Sequence, residues 1–367
     1  MQKFAKLFRS LPDPRAPNAL HELLDILVIA LAAVLCGAKC ATDMALFGRS
    51  KEELLRQFLR LENGIPSHDT FSRVFRALDP EAFERVFRRF MAAFAEANGI
   101  KLTGVVAVDG KALRGAYERS KSSTPLHMVN VFAAEARMVL ASRKAPGRNE
   151  AQGALEILQM LSLEGCIVTA DALHCNRRFA AMVLERGGHY VLALKQNQSK
   201  LFEAVERRFA RAGKRSVANS IEPSTHDRQE SRRATVIRDT SVASANRFPG
   251  AGALARITSR RRLHGKRADK PTVHYYLLSK YMPAKQVLQT VRGHWGIENR
   301  LHWVLDVVFN EDQGRARKDH GPENFAVLRR FAVNIIRAHP ARISMRQKVK
   351  RAGWDDAFLL DLLSHMR

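Results

Sequence analysis

Cysteine is scarce in this chain of 367 residues. The four present, Cys36, Cys40, Cys166 and Cys175, are irregularly spaced and form no CxxC pair. That excludes a disulfide framework, disfavours a structural zinc site, and fits reduced thiols in a cytoplasmic protein. Met1–Ser10 lacks the apolar core of a secretory leader. The strongest apolar run, Leu23–Ala38, contains Asp25 and falls short of the roughly 20 residues a membrane span requires. It reads as a buried core helix, so no membrane partner is expected from it. There is no internal repeat, no low-complexity tract and no HExxH pair. Acidic residues are the last scarcity: 36 Asp+Glu against 61 Lys+Arg leave a formal charge of +25. With 46% hydrophobic and 26% charged residues the chain is too apolar to be disordered. A folded protein this basic suits a polyanionic partner, nucleic acid before membrane surface.

The surplus is uneven. Residues 1–100 carry a net +2 and residues 101–195 a net +5. Residues 196–280 hold 19 basic against 7 acidic side chains, net +12, and residues 281–367 a net +6. Even spreading would serve solubility, whereas a concentrated block marks a footprint on phosphates. A solvated basic surface is the plainer alternative.

Periodicity divides the chain. The first hundred residues read as helices: Leu23–Leu35, Lys51–Leu61, Phe71–Leu78, and one started by Asp79-Pro80-Glu81. The short turn before Asp79 permits a helix-turn-helix; a plain bundle fits equally. From Gly104, short apolar runs alternate with helical patterns, predicting an α/β sheet domain. Strands are expected at Val105–Val108, His127–Ala133, Met138–Arg143, Cys166–Ala170 and Tyr190–Leu194, with helices over Ala151–Ser162 and Arg177–Arg186. The basic block shows β-prone pieces at Ala234–Arg238, Ala255–Ser259 and His274–Leu278, without long helical periodicity. Helical spacing returns over Ala284–Val307, an amphipathic helix follows over Pro322–Arg337, and the last residues read as a short mixed tail.

Two aspartates occupy matching positions, Asp109 after Val-Val-Ala-Val and Asp171 after Cys-Ile-Val-Thr-Ala. Carboxylates at strand ends of an α/β sheet point into its ligand crevice. Two of them together repel unless a cation lies between, and Mg²⁺ beside a phosphate substrate suits such oxygen ligands. The bland reading is that each caps the turn after it. A third carboxylate is available where His294, Glu298, His302 and Asp306 recur every four residues along one helix face. A zinc site and ordinary surface ion pairs are the rivals for that face. Basic residues bracket the acids: Lys111 and Arg114, Arg177 and Arg178, Lys195, then Arg315, Arg317 and Lys318. Such residues contact phosphates and position nucleic acid without reading its sequence. Trp295 and Trp303 offer faces for base stacking or for the core.

The segments AVDGKALRGA (107–116), GCIVTADALHCN (165–176), YVLALKQNQ (190–198) and RGHWGIENRLHWVLDVVFNED (292–312) resemble insertion-sequence transposases of the ISAs, or H-repeat-associated, family. LPDPR (11–15) and GIPSHDTFSRVF (64–75) resemble its associated N-terminal domain. The resemblance implies a ribonuclease-H-like catalytic fold with a DDE triad, in which Asp109, Asp171 and Glu298 match the three acids and bind Mg²⁺, with Mn²⁺ as substitute. It implies metal-dependent cleavage of transposon-end phosphodiesters and strand transfer into target DNA, with terminal inverted repeats and target as double-stranded DNA partners and a homodimer joining two ends. The protein would be cytoplasmic and nucleoid-associated when bound to DNA. The expected organisation is a helical N-terminal domain (1–100), a catalytic domain (101–340) with a basic β-rich insertion at about 196–280, and a tail (341–367). The expected DNA contacts are Lys111, Arg114, Lys195, Arg228, Arg232, His294, Trp295, Asn299, Arg315 and Arg317. His226, Arg228, Glu230 and Arg232 resemble a family motif within the insertion. Two departures stand out. Val291, His294 and Leu305 occupy the Tyr, Arg and Lys places of the wider class's Tyr–Arg–Glu–Lys signature, and Leu173-His174 stands where Met-Gly is common. A catalytically inactive DNA-binding remnant and a nuclease of the same fold are the alternatives.

Overall fold

In the computed structural model the first apolar run is helix α1 (Leu23–Leu35), buried at every residue but Leu24. The structure describes residues 6–101, 103–117, 125–211, 213, 215–221, 228–263 and 269–364. Asp25 lies inside this helix, with the Leu61 N–H donating to its carboxylate at 3.3 Å; burial pushes that carboxyl above its ordinary range. Helices α2 (Ala41–Ser50), α3 (His68–Ala77) and α4 (Pro80–Ala97) follow. Ser67 caps α3, and Asp79 with Pro80 starts α4 as the sequence signals. The helix expected at Lys51–Leu61 is cut to one turn, Glu52–Leu55, and α2 before it was not expected from the sequence.

The sheet begins with a meander: β1 (Gly104–Tyr117), β2 (Pro125–Ala133) and β3 (Met138–Lys144), antiparallel in turn. Helix α5 (Glu150–Leu158) leads to β4 (Cys166–Ala170), and α6 (Arg177–Glu185) to β5 (His189–Leu194), both crossovers giving parallel strands. Helix α7 (Ser199–Ala210) precedes β6 (Ser216–Ile221), β7 (Arg228–Arg238), β8 (Ala253–Leu263) and β9 (Thr272–Leu278). All nine strands form one sheet, in the order β3-β2-β1-β4-β5-β9-β8-β7-β6. The strands of the basic segment thus continue the sheet, β9 pairing antiparallel with β5, and do not stand apart from it. Helix α7 corrects the sequence reading of that segment. Its buried Leu201, Val205 and Phe209 recur every four residues, a helical stripe that the surrounding charge obscures.

The chain then returns through α8 (Ala284–His294), a π-helical turn (Glu298–His302) and α9 (Trp303–Val307). Helix α8 runs under the sheet from β6 and β7 to β4 and β1. At its end Gly293 touches β1 so closely that a Cβ there would sit 3.1 Å from Val105. The last helices are α10 (Gly321–Ala338), α11 (Met345–Trp354) and α12 (Asp356–Ser364). The expected amphipathic helix is α10, but it is buried on every side from Gly321 to Ile336. It stands between α1–α4 and the sheet, and two of its asparagines bond inside the fold: Asn324 donates to the Phe75 and Leu78 carbonyls, and Asn334 bonds both backbone groups of Val139. The tail read as mixed is two helices, α11 started by a Ser344–Gln347 capping box.

Strand alternation decides which side chains face the site. Val106 and Val108 of β1 join the core shared with α5–α7, as do Val168 and Ala170 of β4. Asp109 and Asp171 have the opposite parity, which directs them to the face where α8–α10 pack.

Candidate active site

The sequence places Asp109 at a strand end, yet β1 continues eight residues further, to Tyr117. What ends at Asp109 is its parallel neighbour: Val108 pairs with Ala170, and β4 stops there. Antiparallel β2 holds the other edge, with Asp109 opposite Asn130. Asp109 is therefore rigid on one side and open on the other. Gly110 follows because the Glu150 carboxylate, bonded to His127 at 2.6 Å, occupies the space a Cβ would need.

Glu298 opens the π-helical turn, a wider coil frequently found at functional sites. One turn on, His302 is nearly fully buried. Its Nδ1 lies 2.9 Å from Glu298 Oε2 and 3.8 Å from Asp109 Oδ2. One ligand atom from each of Asp109, Glu298 and His302 falls within 4.8 Å of the others, a spacing able to hold a cation. Burial, with Asp171 and Glu298 adding negative charge, pushes the Asp109 carboxyl up to about 6. The hydrogen bond from His302 holds Glu298 below the usual range. Behind His302 the polar chain continues inward. Asn130 Nδ2 is 3.4 Å from His302 Nε2, and Asn130 Oδ1 accepts from Ser142 and from Arg330. Arg330, fully buried, pairs with the equally buried Glu311. The sequence put His302 on the Glu298 face without giving it a role; nothing local in sequence marks Asn130 or Arg330 as its support.

Asp171 ends β4 and caps a short turn, its Oδ1 accepting from the Leu173 N–H at 3.0 Å. The capping reading holds; Asp171 is not among the grouped ligand atoms of Asp109, Glu298 and His302, though its charge reaches Asp109. His174, in the segment that departs from family style, is completely buried with its Nε2 3.9 Å from Asp171, and neither ring nitrogen has a hydrogen-bond partner among the described residues.

The basic residues divide. Lys111, expected on DNA, is buried and binds Asp306 at 2.7 Å and Asp312 at 3.3 Å, so its charge is spent inside the fold. His294 is also corrected as a cationic contact: its Nδ1 lies 3.2 Å from Thr169 Oγ1, and burial pushes its pKa down to about 4, leaving it neutral. Arg317 donates to the Gly115 carbonyl, and Arg232 to Glu230. Arg114, Lys195, Asn299 and Arg315 are exposed, and Trp295 is 55% exposed. Arg228 opens β7, while His226 lies outside the described residues.

Residues 101–335 match the family model described as "Transposase DDE domain", and residues 5–91 the one described as "DDE_Tnp_1-associated". The chain is similar to the "H repeat-associated putative transposase YhhI" of Escherichia coli K12, 30% identical over 99% of this chain and 98% of that one. It is also similar to the "Uncharacterized protein in dhlA 3'region" of Xanthobacter autotrophicus, 41% identical over 71% of this chain and 89% of that one. Among solved structures, a piggyBac transposase synaptic complex with hairpin DNA aligns over 98% of this chain and 78% of its own at 13% identity and a TM-score of 0.43.

Proposed function

This chain belongs to the transposase DDE family, in its H repeat-associated branch, and on that premise we propose that it cuts transposon-end phosphodiesters and transfers the freed ends to target DNA. The proposed catalytic carboxylates are Asp109, Asp171 and Glu298. They would hold divalent ions, Mg²⁺ with Mn²⁺ as a substitute. The observation that carries this reading is the approach of Asp109 and Glu298, from two ends of one domain, within 4.8 Å in a strongly basic protein. Two carboxylates so close repel, and burial raises the cost; a cation between them removes both penalties. Hard carboxylate oxygens suit Mg²⁺ and Mn²⁺ alike. When bound, such ions supply activation of the attacking oxygen and stabilisation of the leaving one in an in-line displacement.

The chain's own residues do the positioning. The meander β1–β3 fixes Asp109, and its own capping turn fixes Asp171. His302 orients Glu298. Lys111 ties up Asp306 and Asp312, which keeps those carboxylates out of the metal cradle. Exposed Arg114, Arg177, Arg178 and Arg315 would meet backbone phosphates. The topology supports a ribonuclease-H-like reading: a three-stranded meander, then two parallel strands reached by helical crossovers, with the acids where β4 ends. Two ends must be joined, so a homodimer is the proposed working form. The test is Asp109→Asn with DNA carrying the repeats that flank the gene. End cleavage in Mg²⁺ disappears while DNA binding stays near the parent's; cleavage at the parent rate would refute the assignment.

A further inference from the structure

A cavity of about 350 Å³ opens beside the π-helical turn, outside the carboxylate cluster. Asn299, Arg300 and Trp303 line it from the turn and α9, Arg137 from the β2–β3 connection, Arg337 from α10 and Lys348 from α11; aliphatic side chains complete its wall. Four of these six residues are cationic. Lys348 is already used, donating to the Ile336 and His339 carbonyls at the end of α10. The three arginines make no ion pair among the described residues.

Their arrangement is held from behind. Arg337 Nη1 donates to the Arg137 carbonyl at 2.8 Å, and its guanidinium lies over the Phe132 ring. Arg300 Nη1 reaches the Ala134 carbonyl at 3.5 Å. Arg137 itself has a φ of 55°, a left-handed backbone that non-glycine residues seldom adopt. Burial, with the charges of Arg137 and Arg300, pushes Arg337 down to about 10. Like charges gathered together are unfavourable, with Glu135 an opposing charge near Arg300, and guanidinium groups match phosphate oxygens in fork geometry. Glu298 of the proposed cutting site directly precedes Asn299 and Arg300 in the cavity wall.

We propose that Arg137, Arg300 and Arg337 form a phosphate-binding subsite that grips one phosphodiester of the DNA strand lying beside Glu298. The proposal rests on the DNA-cleaving reading above and adds to it a positioned phosphate. The alternative source of the same chemistry is a free phosphate.

The test measures DNA binding by the full chain in metal-free buffer, so it does not depend on catalysis. Arg137→Gln and Arg300→Gln change exposed side chains and leave the core intact. The double variant is expected to bind end DNA more weakly, and its slope of log affinity against log salt to fall by about 0.9, the value for one released phosphate contact. Replacing single phosphates near the cut by neutral methylphosphonates locates the contact. At one position the parent protein loses affinity and the double variant loses nothing further. Equal further losses at every position, or an unchanged slope, overturn the proposal. So does quenching of Trp303 fluorescence by inorganic phosphate with DNA affinity unaffected, which assigns the cavity to a free anion. If Asp109→Asn cuts normally, the catalytic reading fails while this binding result still stands.

Discussion

At the scale of single residues, the site is an acidic cluster supported by a buried polar chain. Glu298 leans on His302, His302 on Asn130, Asn130 on Arg330, and Arg330 on Glu311. Both members of the last pair are fully buried, so removing one strands a charge in a low-dielectric interior. Arg330→Met is expected to lower stability by about 3–5 kcal/mol. The double variant Arg330→Met, Glu311→Leu should recover much of that, because no charge is left unpaired. Denaturant unfolding of the three proteins checks both statements; equal losses for single and double variants would show that packing, not charge, sets the cost. The acids themselves were legible because a strand followed by Asp, twice, is a pattern local in sequence. Their support was not. Asn130 is an ordinary strand residue and Arg330 an ordinary helix residue until the fold brings them together. Lys111 shows the opposite failure: adjacency to Asp109 suggested a phosphate contact, and only the fold shows Asp306 and Asp312 waiting for it.

At the scale of elements, α8 determines where Glu298 goes. It crosses under the sheet and meets β1 at Gly293, where a side chain has almost no room. Gly293→Val should push the helix end from Val105 and displace the π-helical turn. End cleavage then falls steeply while DNA binding persists, read in parallel nicking and mobility-shift assays. Normal cleavage would show that the contact is not what holds Glu298. The sequence predicted one helix through this region and could not show the π-helical turn, since spacings of four and five residues look alike without hydrogen bonds. A second joint ties α7 to the end of β7, where Arg208 pairs with Asp239. Burial raises the Asp239 carboxyl, but hydrogen bonds from the Val242 N–H, Arg208 and Ser241 outweigh it and hold the group below its usual range. A carboxyl with a depressed folded pKa contributes stability that is present above about pH 3.9 and lost as pH falls through the folded value. Asp239→Asn should therefore be less stable than the parent at pH 7, with the gap closing below pH 4. A gap that stays constant with pH would exclude the ionic contribution.

At the scale of the whole molecule, one sheet carries two kinds of surface. Its β1–β4 part presents acids to α8–α10, and its β6–β9 part presents arginines. Arg233, Arg260, Arg261 and Arg262 are all exposed on the hairpin of β7 and β8, within the segment of net charge +12. Because β9 is bonded to β5, this hairpin is rigidly related to the acids, which loose attachment would not allow. Charge arithmetic located the block in sequence; the pairing of β5 with β9 spans more than eighty residues and is invisible to any local pattern. A rigid basic extension should act as a lever that holds DNA in register with the cutting site. Replacing Arg260, Arg261 and Arg262 by Ala then has two consequences. The salt dependence of DNA affinity becomes shallower by up to about 0.9 per lost phosphate contact. Cleavage should also lose positional fidelity, with nicks scattered around the end of the repeat, because the strand is no longer fixed relative to Asp109. A mere solvated basic surface would leave both the salt slope and the cut position where they are in the parent, so mapping nicks at nucleotide resolution separates the two.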